Sequence, residues 1–301
     1  MRYTWTGEIP SLRNPVLLAA FAGWSDAAGA ATAAARMLIG KWDARQFAEI
    51  DGEEFYDFTS ARPLVRVGAD FQRELEWPRN SFYYHVDPST ERDAAVLVGV
   101  EPHLKWRTFT GEILELARQC NVGLVVTLGA MITDTPHTRP VPQIGFATDP
   151  GLVERLRDLH VGPTRYQGPT GILGAIHDAC LRQEMPAVSL WASVPHYLGV
   201  AENPKVAATL LHTIDDLLAL RLDLEDLDQA VRRFETQVDA IVAQSPEAAA
   251  YVRELETRAD AAEETETGDD ETELPPSGAL IKDLEEFLKR RRAQGGNGDE
   301  S

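Results

Sequence analysis

Cysteine is scarce in this sequence, and this limits the kinds of site that it can form. The 301 residues include only Cys120 and Cys180, and no C-x-x-C pair occurs. The seven histidines show no spacing typical of a zinc site either. Two cysteines without such motifs are usually small buried residues of a cytosolic protein. We therefore predict no metal site and a cytoplasmic location.

Long apolar runs and basic charge are also lacking. No stretch of about 18 apolar residues occurs, and the first residues contain no apolar signal core. The chain has 29 basic and 48 acidic residues, so its formal net charge is −19. Much of this excess lies in residues 222–274, which contain 17 acidic and four basic residues. We expect neither a membrane nor a nucleic acid as partner, because no basic stripe can neutralise phosphates.

The rest of the chain is organised around residues 15–38. The apolar run from Val16 to Ala22 predicts a buried strand, GWSD predicts a sharp turn, and an alanine-rich segment predicts a closely packed helix. The turn has neither the G-x-G-x-x-G pattern of a dinucleotide site nor the lysine of a phosphate loop, and we predict no cofactor. Ser25 or Asp26 can cap the helix, and we favour capping over ligand contact for Asp26.

Apolar runs alternate with amphipathic segments as far as residue 221. This alternation predicts an α/β fold with a doubly wound, mostly parallel sheet in a core domain of residues 1–221. A helix is expected from about Thr108 or Thr110 to Cys120, and Thr170 is a candidate cap for another that ends at Gln183. Further strands are predicted at Ala94–Val100, Val122–Leu128, Ile144–Thr148 and Val188–Ala192.

After residue 221 the chain changes character. Residues 222–258 predict a helical hairpin, in which a heptad stripe packs either on the second helix of the hairpin or on another chain. Residues 259–278 predict an acidic linker, and residues 279–292 predict a tethered amphipathic helix that docks back or binds something else. The heptad stripe consists of Leu224, Leu227, Val231, Phe234, Val238 and Ile241.

Polar side chains follow four of the predicted strands. Ligand sites in open α/β sheets lie at the carboxyl ends of the strands, so these side chains are expected to meet at one rim. They could perform acid–base chemistry on an anionic substrate, hold loops together, or bind a protein. No nucleophile stands out, since Ser25 lacks a G-x-S-x-G context and Cys180 with His177 is a weak pair. The candidate rim residues are Asp26, Glu101, Trp106, Arg107, His137, Arg139, His196 and Tyr197.

Six motifs occur in series along the chain: GWSDAAGAA, EPHLKW, PHTRP, GPTGILGA, SLWASVPHY and NPK. In order and spacing they resemble the bacterial branch of the proteasome assembly chaperone 2 (PAC2) family. The resemblance covers about residues 5–260. It implies a three-layer α/β fold similar to that of phosphorylases and hydrolases. Eukaryotic and archaeal relatives act as chaperones for proteasome α-subunits, whereas some bacterial members carry a carboxylate–amine ligase label.

These observations leave two functional hypotheses. We favour a non-catalytic protein-binding or assembly factor, with proteasome subunits as a possible partner. The alternative is an enzyme, of hydrolase or carboxylate–amine ligase type, that acts on a small anionic substrate at the rim. The resemblance also implies a homo-oligomer, with a trimer favoured and a dimer next, since closed symmetry is the default for such assemblies.

Overall fold

The computed structural model describes residues 3–68, 71–199 and 202–264. Within these residues the chain forms ten strands and seven helices, together with two short 3₁₀ turns. The strands are β1 Tyr3–Trp5, β2 Val16–Ala22, β3 Arg45–Ile50, β4 Leu64–Val67, β5 Arg73–Glu76, β6 Asn80–His85, β7 Ala94–Val100, β8 Leu124–Thr133, β9 Gln143–Ala147 and β10 Ala187–Pro195. The helices are α1 Ala30–Lys41, α2 Trp106–Gln119, α3 Pro150–Asp158, α4 Ile172–Arg182, α5 Pro204–Leu218, α6 Glu225–Val242 and α7 Pro246–Glu264.

Eight strands form one sheet in the order β1-β3-β6-β7-β2-β8-β10-β9. The central strands β7, β2, β8 and β10 are parallel, and the strands at both edges are antiparallel. The predicted α/β fold is confirmed, with the parallel strands at its centre. The fourth predicted strand forms as β9, but it runs antiparallel to β10. A short apolar run does not encode strand direction, so the sequence could not reveal this orientation.

Helices cover both faces of the central strands and produce three layers. Alternate residues of β2 face opposite layers: Leu18 packs in the cluster with α1 and α5, while Leu17 packs in the cluster with α2 and α4. The small buried residues Ala31 and Ala34 allow α1 to lie close to the sheet. Helix α2 begins at Trp106, earlier than predicted, because Lys105 turns the chain with a φ of +55°.

The heptad stripe packs within the chain. Leu224 and Leu227 join the core beneath α1 and α5, while Val238 joins a smaller cluster with Leu255 of α7. In the last turn of α6, Val242 is buried and Ile241 is only half-buried. The buried position is therefore one residue later than the heptad stripe predicts. The first half of the stripe therefore packs on the core domain, and only its second half packs on the hairpin mate as expected. That mate continues beyond Arg258 to Glu264. The predicted tethered helix lies outside the described residues.

Replacing Leu255 by alanine should weaken the packing of the hairpin. Leu255 is completely buried, so the cavity should lower the free energy of unfolding by about 2–5 kcal/mol. Denaturant unfolding followed by circular dichroism measures this change. The exposed neighbour Thr257, replaced by alanine, is the matched control and should change stability by less than about 1 kcal/mol. Equal losses in the two variants would contradict the packing role of Leu255.

Candidate functional site

The carboxyl ends of the four parallel strands lie at one rim, as their direction requires. The structure divides the eight predicted rim residues between two groups along this rim. Asp26, Glu101, Trp106 and Arg107 follow β2 and β7 and form what we call the β2–β7 group. His137, Arg139, His196 and Tyr197 follow β8 and β10 and form what we call the β8–β10 group.

Asp26 caps the alanine-rich helix. Its carboxylate is almost completely buried and accepts hydrogen bonds from the N–H groups of Ala31, at 2.8 Å, and Thr32, at 3.2 Å. The hydroxyl of Thr32 donates a third bond at 2.5 Å. Burial raises the pKa of Asp26 above its ordinary value, and the bonds from Thr32 and Ala31 act against this rise. Asp26 therefore has the capping role that the sequence predicted, and its oxygens are already occupied.

Glu101 joins three segments of the rim. One carboxylate oxygen accepts the N–H of Trp24 at 3.1 Å, and the other accepts the N–H of Ile172 at 2.7 Å. The second bond caps α4 from a residue 71 positions away. Thr170 was the predicted cap of this helix, and that prediction is wrong, because Gly171 occupies the N-cap position and no nearby side chain bonds to it.

The two glycine-rich turns allow this close approach. Gly23 has a φ of +139°, and a Cβ there would lie 2.9 Å from the Cβ of Glu101. A Cβ on Gly171 would lie 2.5 Å from Ser25 Oγ and 2.8 Å from a Glu101 oxygen. Ser25 Oγ is buried and has no hydrogen-bond partner among the described residues. Gly23 and Gly171 thus allow the two turns to pack closely around the carboxylate of Glu101, and this packing accounts for them without a bound phosphate.

Trp106 and Arg107 occupy the first turn of α2. The indole N–H of Trp106 donates to the carbonyl of Pro102 at 2.6 Å and so closes the turn before the helix. The side chain of Arg107 is exposed, and no ion pair links it to the other described residues. Within the β2–β7 group, Arg107 is therefore the member that could contact another molecule.

His137 lies at the centre of the β8–β10 group. Its main-chain N–H donates to the Tyr197 hydroxyl at 2.8 Å, and that hydroxyl is also 2.8 Å from His137 Nδ1. Because the hydroxyl already accepts one bond, we infer that it donates its own proton to Nδ1, which acts as the acceptor. The imidazole proton then lies on Nε2, and this N–H donates to Asp239 of α6 at 3.0 Å. Burial lowers the pKa of His137, and the hydrogen bond to Asp239 acts in the opposite direction. Burial also raises the pKa of Tyr197.

Two other members of this group, Arg139 and His196, also bind the helical hairpin, and Lys205 of α5 adds a further link. Arg139 donates to both carboxylate oxygens of Asp260, at 2.7 and 2.8 Å. His196 Nε2 is 3.0 Å from the Tyr251 hydroxyl. Lys205 donates to the carbonyl of His137 at 2.6 Å and pairs with Glu235 of α6 at 2.7 Å. The β8–β10 group therefore fastens α6 and α7 over one half of the rim.

The partners in the hairpin were not predicted. Asp239 and Asp260 belong to residues 222–274, which hold much of the acidic excess of the sequence. They lie more than 100 positions from the rim residues that they bind. The one available signal was the acidic surface of a hairpin that follows a rim rich in histidine and arginine.

The cysteines are poorly suited to nucleophilic chemistry. Burial raises the pKa of the Cys180 thiol to about 12 and that of Cys120 to about 11, so both thiols are protonated at neutral pH. The ring of His177 lies against Phe146, and its Nδ1 is 3.4 Å from Ser189 Oγ. No cluster of three or more potential metal ligands occurs in the described parts of the chain. None of the described helices is long and apolar enough to cross a membrane.

Comparison with known proteins identifies similar sequences and structures. The sequence pattern described as the PAC2 family matches residues 20–242. A proteasome-assembly chaperone homologue from Mycobacterium tuberculosis is 40% identical, with a TM-score of 0.72 over 79% of this chain and 99% of its own. A PAC2 family protein from Streptomyces avermitilis is also 40% identical, with a TM-score of 0.70 over the same shares of the two chains. No curated protein matches the chain.

A more distant structure shows the same fold. PbaA from Pyrococcus furiosus, an archaeal homologue of proteasome-assembly chaperone, has a TM-score of 0.57 at 17% identity. The alignment covers 82% of this chain and 99% of the archaeal chain. At this identity the likeness concerns the fold alone.

The buried imidazole should make the protein less stable in acid. A histidine with a lowered native pKa binds its proton more readily in the unfolded chain, so stability falls as the pH drops through about 6.5. We expect the free energy of unfolding at pH 5.5 to be lower than at pH 7.5, by no more than about 1.4 kcal/mol per pH unit for this group. Denaturant unfolding at the two pH values measures the difference.

His177, whose pKa is also lowered by burial, contributes in the same direction. The variants His137→Gln and His177→Gln, each compared with the parent chain, separate the two contributions. An unchanged pH dependence in His137→Gln would contradict the assignment to His137.

Proposed function

The chain belongs to the PAC2 family, and from this premise we propose that it is a non-catalytic protein-binding or assembly factor of the proteasome-chaperone type. The observation that carries the proposal is the use of the rim side chains. Asp26 and Glu101 accept backbone N–H groups, while His137 and Arg139 hold the helical hairpin. Groups with these tasks maintain the shape of a surface, which is what a binding protein requires.

The enzyme alternative requires a base or nucleophile that substrate can reach. Both oxygens of Glu101 already accept main-chain N–H groups, and the Nδ1 and Nε2 atoms of His137 are bonded to Tyr197 and Asp239. Ser25 Oγ is buried, although no described group bonds to it. These positions favour the structural interpretation of the rim over acid–base chemistry.

Three large apolar side chains are exposed along the same rim. Trp24 follows β2, Leu104 follows β7, and Ile132 lies near the end of β8, with 61%, 50% and 58% of their surfaces exposed. Exposed apolar and aromatic residues of this kind are typical of the centre of a protein interface. We infer that this rim contacts the partner, and we call Trp24, Leu104 and Ile132 the apolar rim.

The proposed partner is a proteasome subunit. The relative from M. tuberculosis is described as a proteasome-assembly chaperone homologue. This description concerns that protein, and at 40% identity it supports the same class of partner here. The apolar rim lies at the carboxyl ends of the central strands. Such a surface suits a subunit that exposes apolar side chains before it assembles.

Charge on the apolar rim should weaken binding to the partner. We expect Trp24→Glu and Ile132→Glu each to weaken the binding of purified proteasome α-subunits by at least about tenfold, because a buried interface cannot pair the added carboxylate. Isothermal titration calorimetry measures the dissociation constants. Val153→Glu places the same charge on the exposed face of α3 and should leave affinity unchanged. The proposal fails if the parent chain shows no affinity for these subunits.

We also propose that the chain forms a homo-oligomer, with a trimer favoured by resemblance and a dimer next. Strands β4 and β5 form a separate two-stranded ribbon, which we call the arm, and each of their residues is exposed. Register places Val65 opposite Leu75 on one face, next to the exposed Val67. An isolated ribbon of this kind is marginal in water, so a second copy is the natural cover for this apolar face. The arm replaces the heptad stripe as the proposed interface.

Replacing Val65 and Val67 by glutamate should dissociate the oligomer. The double variant is expected to remain folded, because both side chains are exposed, and to have the mass of a monomer in light scattering. Val231→Glu changes the half-buried stripe instead and should reduce stability while the oligomer persists. A parent chain that stays monomeric at high concentration would contradict the proposal.

A further inference from the structure

A cleft of about 930 Å³ opens beside the arm. Its walls come from α1, from β6 and β7, and from the arm. Leu64, Arg66, Glu74 and Glu76 line it from one face of the arm, because register places Leu64 opposite Glu76 and Arg66 opposite Glu74. Leu75, which lies opposite Val65 on the other face, also borders the cleft, whereas Val65 and Val67 do not line it. The cleft is therefore lined mainly by the face of the ribbon opposite the one proposed to meet a second copy.

The cleft is rich in arginine although the protein is strongly acidic. Arg36, Arg62, Arg66 and Arg79 line it, against two acidic residues, Glu74 and Glu76. Arg66 pairs with Glu76 at 2.7 Å, and Arg36 donates to the Thr32 hydroxyl at 3.2 Å.

Within the described residues, no ion pair or hydrogen bond joins the guanidinium of Arg62 or Arg79 to another group. Guanidinium groups gathered on cleft walls concentrate positive potential and attract carboxylates. This local positive charge is found in a chain whose formal net charge is −19.

Apolar side chains accompany the arginines. Leu64 and Trp77 line the same cleft and are about half exposed. Tyr83 and Gln46 add a hydroxyl and an amide to its wall. A ligand that matches this lining carries several carboxylates and at least one apolar side chain. An extended acidic peptide has this composition, whereas inorganic phosphate lacks the apolar part.

We propose that the cleft binds an acidic peptide segment and that its occupant is residues 265–274 of this protein, TETGDDETEL. The segment contains five acidic residues and no basic residue, and it ends in Leu274. It follows directly after α7, whose last residue is Glu264. Its carboxylates match the unpaired arginines, and Leu274 matches the apolar wall formed by Leu64 and Trp77. This inference does not depend on the proposed chaperone role.

Photo-crosslinking of the full-length chain tests the proposal. With p-benzoylphenylalanine in place of Leu274, irradiation followed by mass spectrometry should give crosslinks to Leu64, Leu75 or Trp77. The yield should fall about fivefold in the double variant Arg62→Glu/Arg79→Glu, since attraction becomes repulsion. It should also fall when the salt concentration is raised from about 0.15 to 1 M. Arg157→Glu changes the same charge on α3 and should leave the yield unchanged.

Several results would overturn the proposal. Crosslinks that map only to the helical hairpin, or a second copy's arm found in the cleft, would mean that the segment is not its occupant. A yield that the double variant does not change would mean that the arginines do not attract the segment. Circular dichroism checks that the variants are folded, and the milder pair Arg62→Gln/Arg79→Gln, expected to give an intermediate yield, serves if charge reversal unfolds the chain. Failure here leaves affinity for α-subunits untouched, so the two proposals are judged separately.

Discussion

The parallel arrangement of β7, β2, β8 and β10 is the constraint on which the rest of the structure depends. Crossover helices run antiparallel to such strands, so their N-termini gather at the rim where the strands end. Each N-terminus presents unsatisfied N–H groups and partial positive charge, which carboxylate and amide oxygens can neutralise. Asp26 does this for α1, Glu101 for α4 and Asn203 for α5. The acidic residues that resemble catalytic groups in the sequence are therefore required by the architecture.

In the other half of the rim, charged side chains bind the helical hairpin to the sheet. The loop after β8 presents His137 and Arg139, and the hairpin supplies Asp239 and Asp260 as their partners. A buried imidazole between a phenol and a carboxylate is inaccessible to substrate, but it links α6 to the sheet. The acidic excess of the C-terminal third thus has a structural part, on the hairpin, and a part beyond it that we assign to the arginine-lined cleft.

Two exposed regions of the protein are available for partners, the apolar rim and the arm. The apolar rim lies at the carboxyl ends of the strands, where we propose that a proteasome subunit binds. The arm is inserted in the chain between β3 and β6, two antiparallel strands of the sheet, and its two faces differ because side chains alternate along a strand. One face is apolar and suits a second copy, while the other contributes to a cleft that suits an acidic segment. The three proposed contacts, with a second copy, with a partner and with the tail, therefore use different parts of the surface.

The sequence by itself determined the features that depend on neighbours along the chain. The apolar run at Val16–Ala22 becomes a strand buried on both faces, the alanine-rich segment becomes α1, and Asp26 caps it, because strand burial and helix capping are local patterns. Only the tertiary structure decided the rest. The direction of β9, the capping of α4 by Glu101 and the pairing of Arg139 with Asp260 join residues far apart in sequence. Such pairs are selected by the packing of layers, and no local periodicity encodes them.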